Sequence, residues 1–266
     1  MIRRLVLLAA CLMPLPAAAA DTWNAVYQAY VAGLNAVELR ASFGFDPAGY
    51  RIAIRSRTVG MTKLFVDGQQ LNKADGLWAS APLNSQLRPR NFYIDGTWRG
   101  SPRRAHIVFG ETGPAIRELQ PAERSRQPIP DLERRDAIDP LSVLAALSRL
   151  VAERGTCDGE ARVYDGRKLE ATAARTVGWE VFQPSTATIF TGRALRCDVE
   201  LRLIGGFLPD SDRADQAKPR RGTVWLAAPA PGAPLLPVMF KLQISWLGEA
   251  TVYLTELGKG TDPPGG

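Results

Sequence analysis

The stretch Leu195-Arg-Cys-Asp-Val-Glu-Leu-Arg-Leu203 alternates without a break. Leu195, Cys197, Val199, Leu201 and Leu203 therefore share one face of a strand, and Arg196, Asp198, Glu200 and Arg202 share the other. A strand wetted on one side only belongs in an antiparallel sheet. The pattern recurs far from this point. Val37, Leu39, Ala41, Phe43 and Phe45 alternate with Glu38, Arg40 and Ser42, and Tyr50, Ile52 and Ile54 alternate with Arg51, Ala53 and Arg55. Near the C-terminus Val238, Phe240, Leu242, Ile244 and Trp246 share a face; a turn at Leu247-Gly248 leads into a strand through Ala250, Val252 and Leu254. Asp-Gly occurs at 67–68, 75–76, 95–96, 158–159 and 165–166, and this dipeptide favours the positive φ angles of two-residue hairpin turns. The proline-rich run from Ala228 to Pro237 reads as a loop or edge connection.

One helix interrupts this meander. Asp139 is placed to cap it, Pro140 suits its first turn because that N–H would lack a partner anyway, and Gly155 can take the left-handed conformation that ends it. Leu144, Leu147, Leu150 and Val151 form its apolar stripe. The expected fold is therefore mainly β: a curved antiparallel sheet or half-barrel with one main α-helix packed on it. The polar, proline-bearing segment from Gln120 to Asp136 is expected to be a long surface loop.

Residues 1–20 read as a cleavable signal peptide, with Arg3 and Arg4 ahead of an apolar run and an Ala-rich cleavage region at Ala17–Ala20. A rival reading takes Leu8-Ala-Ala-Cys11 as a lipoprotein box that anchors the chain through Cys11. The expected organisation is signal peptide 1–20, a single β-rich domain over 21–258 and a disordered tail over 259–266, with the mature protein in the periplasm. No later stretch approaches the ~18 apolar residues needed to span a bilayer.

In that compartment thiols are oxidised, so the two cysteines left after cleavage, Cys157 and Cys197, read as a disulfide. Cys197 points into the core with its apolar strand neighbours, which suits neither a redox nor a nucleophilic thiol. The bond would staple the helix end to a core strand. Closing a loop of about 40 residues contributes on the order of 4 kcal/mol in the chain-entropy model.

The formal charge of +6 falls to +4 once Arg3 and Arg4 leave with the signal. Outside the cytoplasm this balance points to anionic lipids rather than nucleic acid. The 27 arginines against 6 lysines need no ligand at all to explain them, because a GC-rich genome yields the same bias. No Gly-x-Ser-x-Gly elbow, Ser-x-x-Lys pair or Gly-rich phosphate loop is present, and the single histidine, His106, sits in a strand-like run. Asp210 and Asp212 have the spacing of half a calcium loop but follow Gly205-Gly206 as a polar turn would. No cofactor or metal is expected. Catalysis would fall to paired carboxylates, as in a glycosidase-like hydrolase, which a linear sequence does not locate.

The large aromatic residues are enough to line a concave apolar face, and Trp98 is singled out because Arg99, Arg103 and Arg104 follow it closely. An apolar patch with a cationic rim suits a lipid or lipoprotein ligand. The expected function is a non-catalytic envelope protein that binds an apolar or amphiphilic ligand; the alternatives are a structural protein that supports envelope integrity through a protein partner, and the hydrolase.

Four short patterns, in this order, resemble a family of exported proteobacterial proteins, domain-of-unknown-function family 3108. They are Tyr27-Gln-Ala-Tyr-Val-Ala-Gly-Leu34, Thr97-Trp-Arg-Gly100, Asp139-Pro-Leu-Ser142 and Val163-Tyr-Asp-Gly-Arg167. The resemblance implies an exported β-rich domain, akin at the level of fold to the curved half-barrels of periplasmic lipoprotein carriers. It assigns no activity to any residue.

Overall fold

The computed structural model describes residues 22–64, 66–79, 87–244 and 248–260. The expected signal peptide lies outside the described residues, as do Trp246 and residues 261–266 of the expected tail.

Seven strands form a first meander: β1 (Thr22–Val31), β2 (Leu34–Phe45), β3 (Gly49–Thr58), β4 (Gly68–Trp78), β5 (Leu87–Trp98), β6 (Ser101–Gly110) and β7 (Gly113–Gln120). The chain then makes a one-turn helix α1 (Asp131–Arg134), a two-residue strand β8 (Ala137–Ile138) and the main helix α2 (Pro140–Arg154). A second meander follows, with β9 (Gly159–Tyr164), β10 (Leu169–Phe182), β11 (Gly192–Gly205), a short helix α3 (Arg213–Gln216), β12 (Arg220–Ala227), β13 (Leu236–Ile244) and β14 (Gly248–Gly260). The last strand continues through Lys259 and Gly260, two residues beyond the domain boundary expected from the sequence.

β14 pairs with β1 along its whole length, Thr22 opposite Gly260 and Val31 opposite Ala250. The two meanders thus join into one sheet of order β7-β6-β5-β4-β3-β2-β1-β14-β13-β12-β11-β10-β9-β8, antiparallel except for the β8–β9 pair. The half-barrel expectation needs correction, because the sheet curls into a nearly closed barrel. Each strand is rotated relative to its neighbour, and thirteen such rotations bring the far edges together. At the closure Gly113 of β7 has no room for a side chain, since a Cβ there would lie 2.7 Å from Arg135 Cα. Gly166 in the β9–β10 turn packs likewise against Ile107 and Leu119.

The helix has the ends that the sequence predicts. Asp139 Oδ1 accepts the N–H groups of Leu141 and Ser142, each at 2.9 Å. Gly155 closes the last turn at φ 69° and donates to the Val151 carbonyl at 2.9 Å. Its buried face is broader than the predicted stripe: Leu150 and Val151 are buried as expected, but so are Leu141, Ser142, Ala145 and Ser148, while Leu144 and Leu147 are half-buried. Small residues let the helix approach both walls. Ser142 hydrogen-bonds Tyr50 of β3, Arg149 stacks over Trp78 of β4 at 4.6 Å, and Val151 joins Leu195, Val224 and Leu226 of the second meander. None of the described helices is long and apolar enough to cross a membrane.

Cys157 and Cys197 form the predicted disulfide, with Cα atoms 6.2 Å apart and no exposure at either residue. It fixes the chain just after α2 to β11.

Candidate functional site

The register of the second meander sets small side chains between charged ones. Arg162 of β9 stands opposite Ala171 of β10, which stands opposite Arg202 of β11. One step along, Glu160, Ala173 and Glu200 are aligned the same way. Directly opposed residues share a sheet face. The alanines therefore leave space between two charged rows.

Beside them lies a cleft of about 770 Å³, lined by Leu87 of β5, Ile138 of β8, Ala146 of α2, Ala161 and Ile204, with the charged residues at its border. This volume is within the range typical of small-molecule sites, and the lining is mixed, since Asp136, Glu160, Arg162, Glu200 and Arg202 stand beside the apolar residues. Glu160 is held by Arg175 at 2.6 Å, and Glu200 is shared by Arg202 and Arg221 at 3.5 Å. Arg162 forms no ion pair among the described residues. Thr172, also in the lining, has a buried hydroxyl oxygen with no hydrogen-bond partner. Thr172 stands opposite Ala161 and so faces the other side of the sheet from Arg162. Arg162 is the cation that an anionic headgroup would meet, with the lining carboxylate of Asp136 also outside any ion pair among the described residues. A neighbouring depression of about 580 Å³ is lined by Arg196, Asp198, Arg221, Lys241 and Glu249, but these charges pair with one another.

Trp98 ends β5 at a two-residue turn in which Arg99 and Gly100 take φ 51° and 76°. The indole covers Gly68 of β4 and stays 46 % exposed. Because Gly96 is opposite Arg103, Arg103 lies on the Trp98 face. Arg104 belongs to the opposite face, where it pairs with Asp95 at 3.3 Å. The structure thus brings Trp98, Arg99 and Arg103 together at a hairpin end and sets Arg104 apart.

His106 stacks on Tyr93 with ring centroids 4.2 Å apart, in the middle of β6. Asp212 caps α3, as a turn residue would, by accepting from Ala214 and Asp215. Among the described residues no cluster of three histidine, cysteine or carboxylate side chains could hold a metal ion. A hydroxyl–carboxylate chain does exist, Tyr50 to Ser142 to Asp139, but Ser142 and Asp139 have no exposure and Tyr50 has 2 %. A substrate cannot reach it. Burial raises the Asp139 carboxyl to about 6 even though its three hydrogen bonds favour the ionised form. Its role is to cap the helix and tie it to the wall.

Sequence reasoning missed the cleft. Its one local signal is the run Ala171-Thr-Ala-Ala174, whose small residues leave room in a strand that otherwise carries large ones.

Comparison with solved structures relates the fold to the crystal structure of a beta-barrel-like protein of domain of unknown function DUF1849 from Brucella abortus. The TM-score is 0.51 at 11% sequence identity, over 92% of this chain and 99% of that one. No curated protein matches the chain. Residues 26–255 match the family model described as protein of unknown function (DUF3108), which spans both meanders, and the chain belongs to that family.

Proposed function

We propose that this is a non-catalytic, exported protein of the periplasmic envelope whose barrel-like domain binds an amphiphilic ligand, a lipid or a lipoprotein. The observation that supports it is the cleft beside α2, in which Leu87, Ile138, Ala146, Ala161 and Ile204 offer an acyl chain apolar walls. Arg162, with no ion pair among the described residues, offers an anionic headgroup a charge partner. An uncompensated arginine next to apolar surface is costly unless a ligand or water satisfies it.

Native mass spectrometry of protein purified without detergent, followed by lipid extraction, tests this. The expected result is a set of discrete bound masses in the phospholipid or lipopeptide range. Ala146→Trp, which fills the cleft, should abolish them while the circular dichroism spectrum is kept. A bare wild-type mass would overturn the reading.

A second reading, a structural role through a protein partner, is favoured by one feature. β10 pairs with β9 only from Leu169 to Ala174, so its remaining length pairs with β11 alone. That free edge carries Val177, Trp179 and Val181, each about half exposed or more. Such an edge can accept an added strand.

A further inference from the structure

We infer that one end of the sheet is a docking surface for an anionic lipid bilayer. Three successive connections of the first meander, β1–β2, β3–β4 and β5–β6, lie at this end. They are locked to one another. The Val59 N–H donates to the Ala36 carbonyl at 3.0 Å, and the Arg99 N–H donates to the Asp67 carbonyl at 2.8 Å. The Trp98 ring covers Gly68 at the start of β4.

Each connection raises large apolar side chains into solvent. Leu34 follows the first turn and is 60% exposed; Met61 and Leu64, in the 3-10 turn Gly60–Leu64, are 63% and 76% exposed; Trp98 is 46% exposed. These exposures are too high for core residues and too clustered for scatter. The side chains stand on separate hairpins roughly 10 Å apart, the width of two strand spacings. Separate protruding tips do not make the continuous complementary face that a rigid protein partner needs. A bilayer interface, which deforms around each tip, accepts them singly, and tryptophan favours that depth.

The charges select the lipid. Lys63, Arg99 and Arg103 form no ion pair among the described residues, and Asp67 is the one acidic side chain among the described residues of these connections. Cations around apolar tips are drawn to an anionic membrane surface. This surface is distinct from the cleft, and the inference holds whether or not the cleft carries cargo.

The test is co-sedimentation of the full chain with vesicles of phosphatidylglycerol and phosphatidylcholine, or of phosphatidylcholine alone. Comparing variants of the same full chain cancels any contribution from residues 1–20. Binding is expected to the anionic vesicles and to fall with added salt. Met61→Ser with Leu64→Ser should weaken it by at least about tenfold. Lys63→Gln and Arg99→Asn should each weaken it roughly five-fold; asparagine tolerates the positive φ at position 99, so the turn survives. Unchanged thermal melts would show that all three variants fold. Equal binding to neutral vesicles, no binding by the wild type, or variants that bind as the wild type does would overturn the inference. So would a wild-type dimer that the Met61/Leu64 variant dissociates, because the surface would then belong to a second copy of the chain.

Discussion

Asp139 ties the helix to the sheet with one carboxylate: Oδ1 caps two backbone N–H groups and Oδ2 accepts the Ser142 hydroxyl, which bonds Tyr50. Capping is local, so Asp139-Pro-Leu-Ser142 announces it in the sequence. The bond to Tyr50 spans 92 positions and leaves no local trace. Burial also changes the chemistry of the group, raising it from 3.8 to about 6. The folded chain therefore holds this proton more tightly than the unfolded chain does. The resulting stabilisation is fully present below about pH 3.8 and is lost as pH rises through about 6. Two units correspond to an effect on the order of 3 kcal/mol. Asp139→Asn keeps an oxygen for the cap and removes the titration, so stability should change less between pH 4.5 and 7.5 than in the wild type. Asp139→Ala should lose about 2–4 kcal/mol by stranding the cap and the Ser142 hydroxyl. Urea unfolding at the two pH values measures both, and an equal pH slope in wild type and Asp139→Asn would refute the assignment.

At the scale of elements, the alternation of Val37 to Arg55 and of Leu195 to Leu203 gives strands where the sequence places them, but the turns differ. Of the five Asp-Gly pairs only 165–166 lies within a hairpin turn, where Asp165 Oδ1 accepts the N–H groups of Arg167 and Lys168. Asp67-Gly68 and Asp158-Gly159 mark strand starts, while Asp75-Gly76 and Asp95-Gly96 lie inside β4 and β5. Two of the tight turns are Ala32-Gly33 and Arg99-Gly100, in which a residue other than asparagine or aspartate takes the first positive φ. The glycines inside strands serve close approach. Gly76 sits at an irregularity of the β4–β5 register, and a methyl group there would run into the Tyr50 phenol and the Arg88 carbonyl. The phenol that occupies this space is the one bonded to Ser142. Gly76→Ala should therefore displace Tyr50 and loosen α2 as well as the sheet, at a cost of about 1–3 kcal/mol. Hydrogen exchange would show it as faster exchange in the first turns of α2. Loss confined to β4 and β5 would mean that Tyr50 does not couple the two elements.

For the whole molecule, the decisive contact is the one most distant in sequence. Each meander is legible as a series of neighbours, and α2 is legible by its caps, but nothing local says that β14 returns to β1. Leu254 looks like any strand residue; only pairing with Tyr27 makes it part of the wall. The cleft is equally invisible because it borrows Leu87 from the first meander, Ala146 from the helix and Ala161 and Ile204 from the second. Across the other seam β7 and β8 pair by no ladder of their own, so the β1–β14 ladder is the backbone pairing that joins the halves, supported by α2 packed on both walls. Loop closure on this scale is an entropic cost met before its contacts form, which slows folding of such a sheet to the millisecond-to-second range or beyond. The disulfide does not help here, since Cys157 and Cys197 both lie in the second half. Deleting residues 248–266 should therefore do more than shorten the sheet. It would expose β1 and β13 as two long free edges and uncover Tyr27, Ala29 and Val238. The truncated chain should lose its near-ultraviolet dichroism and aggregate. A truncated chain that stays monomeric and melts cooperatively would show that each meander folds without the other.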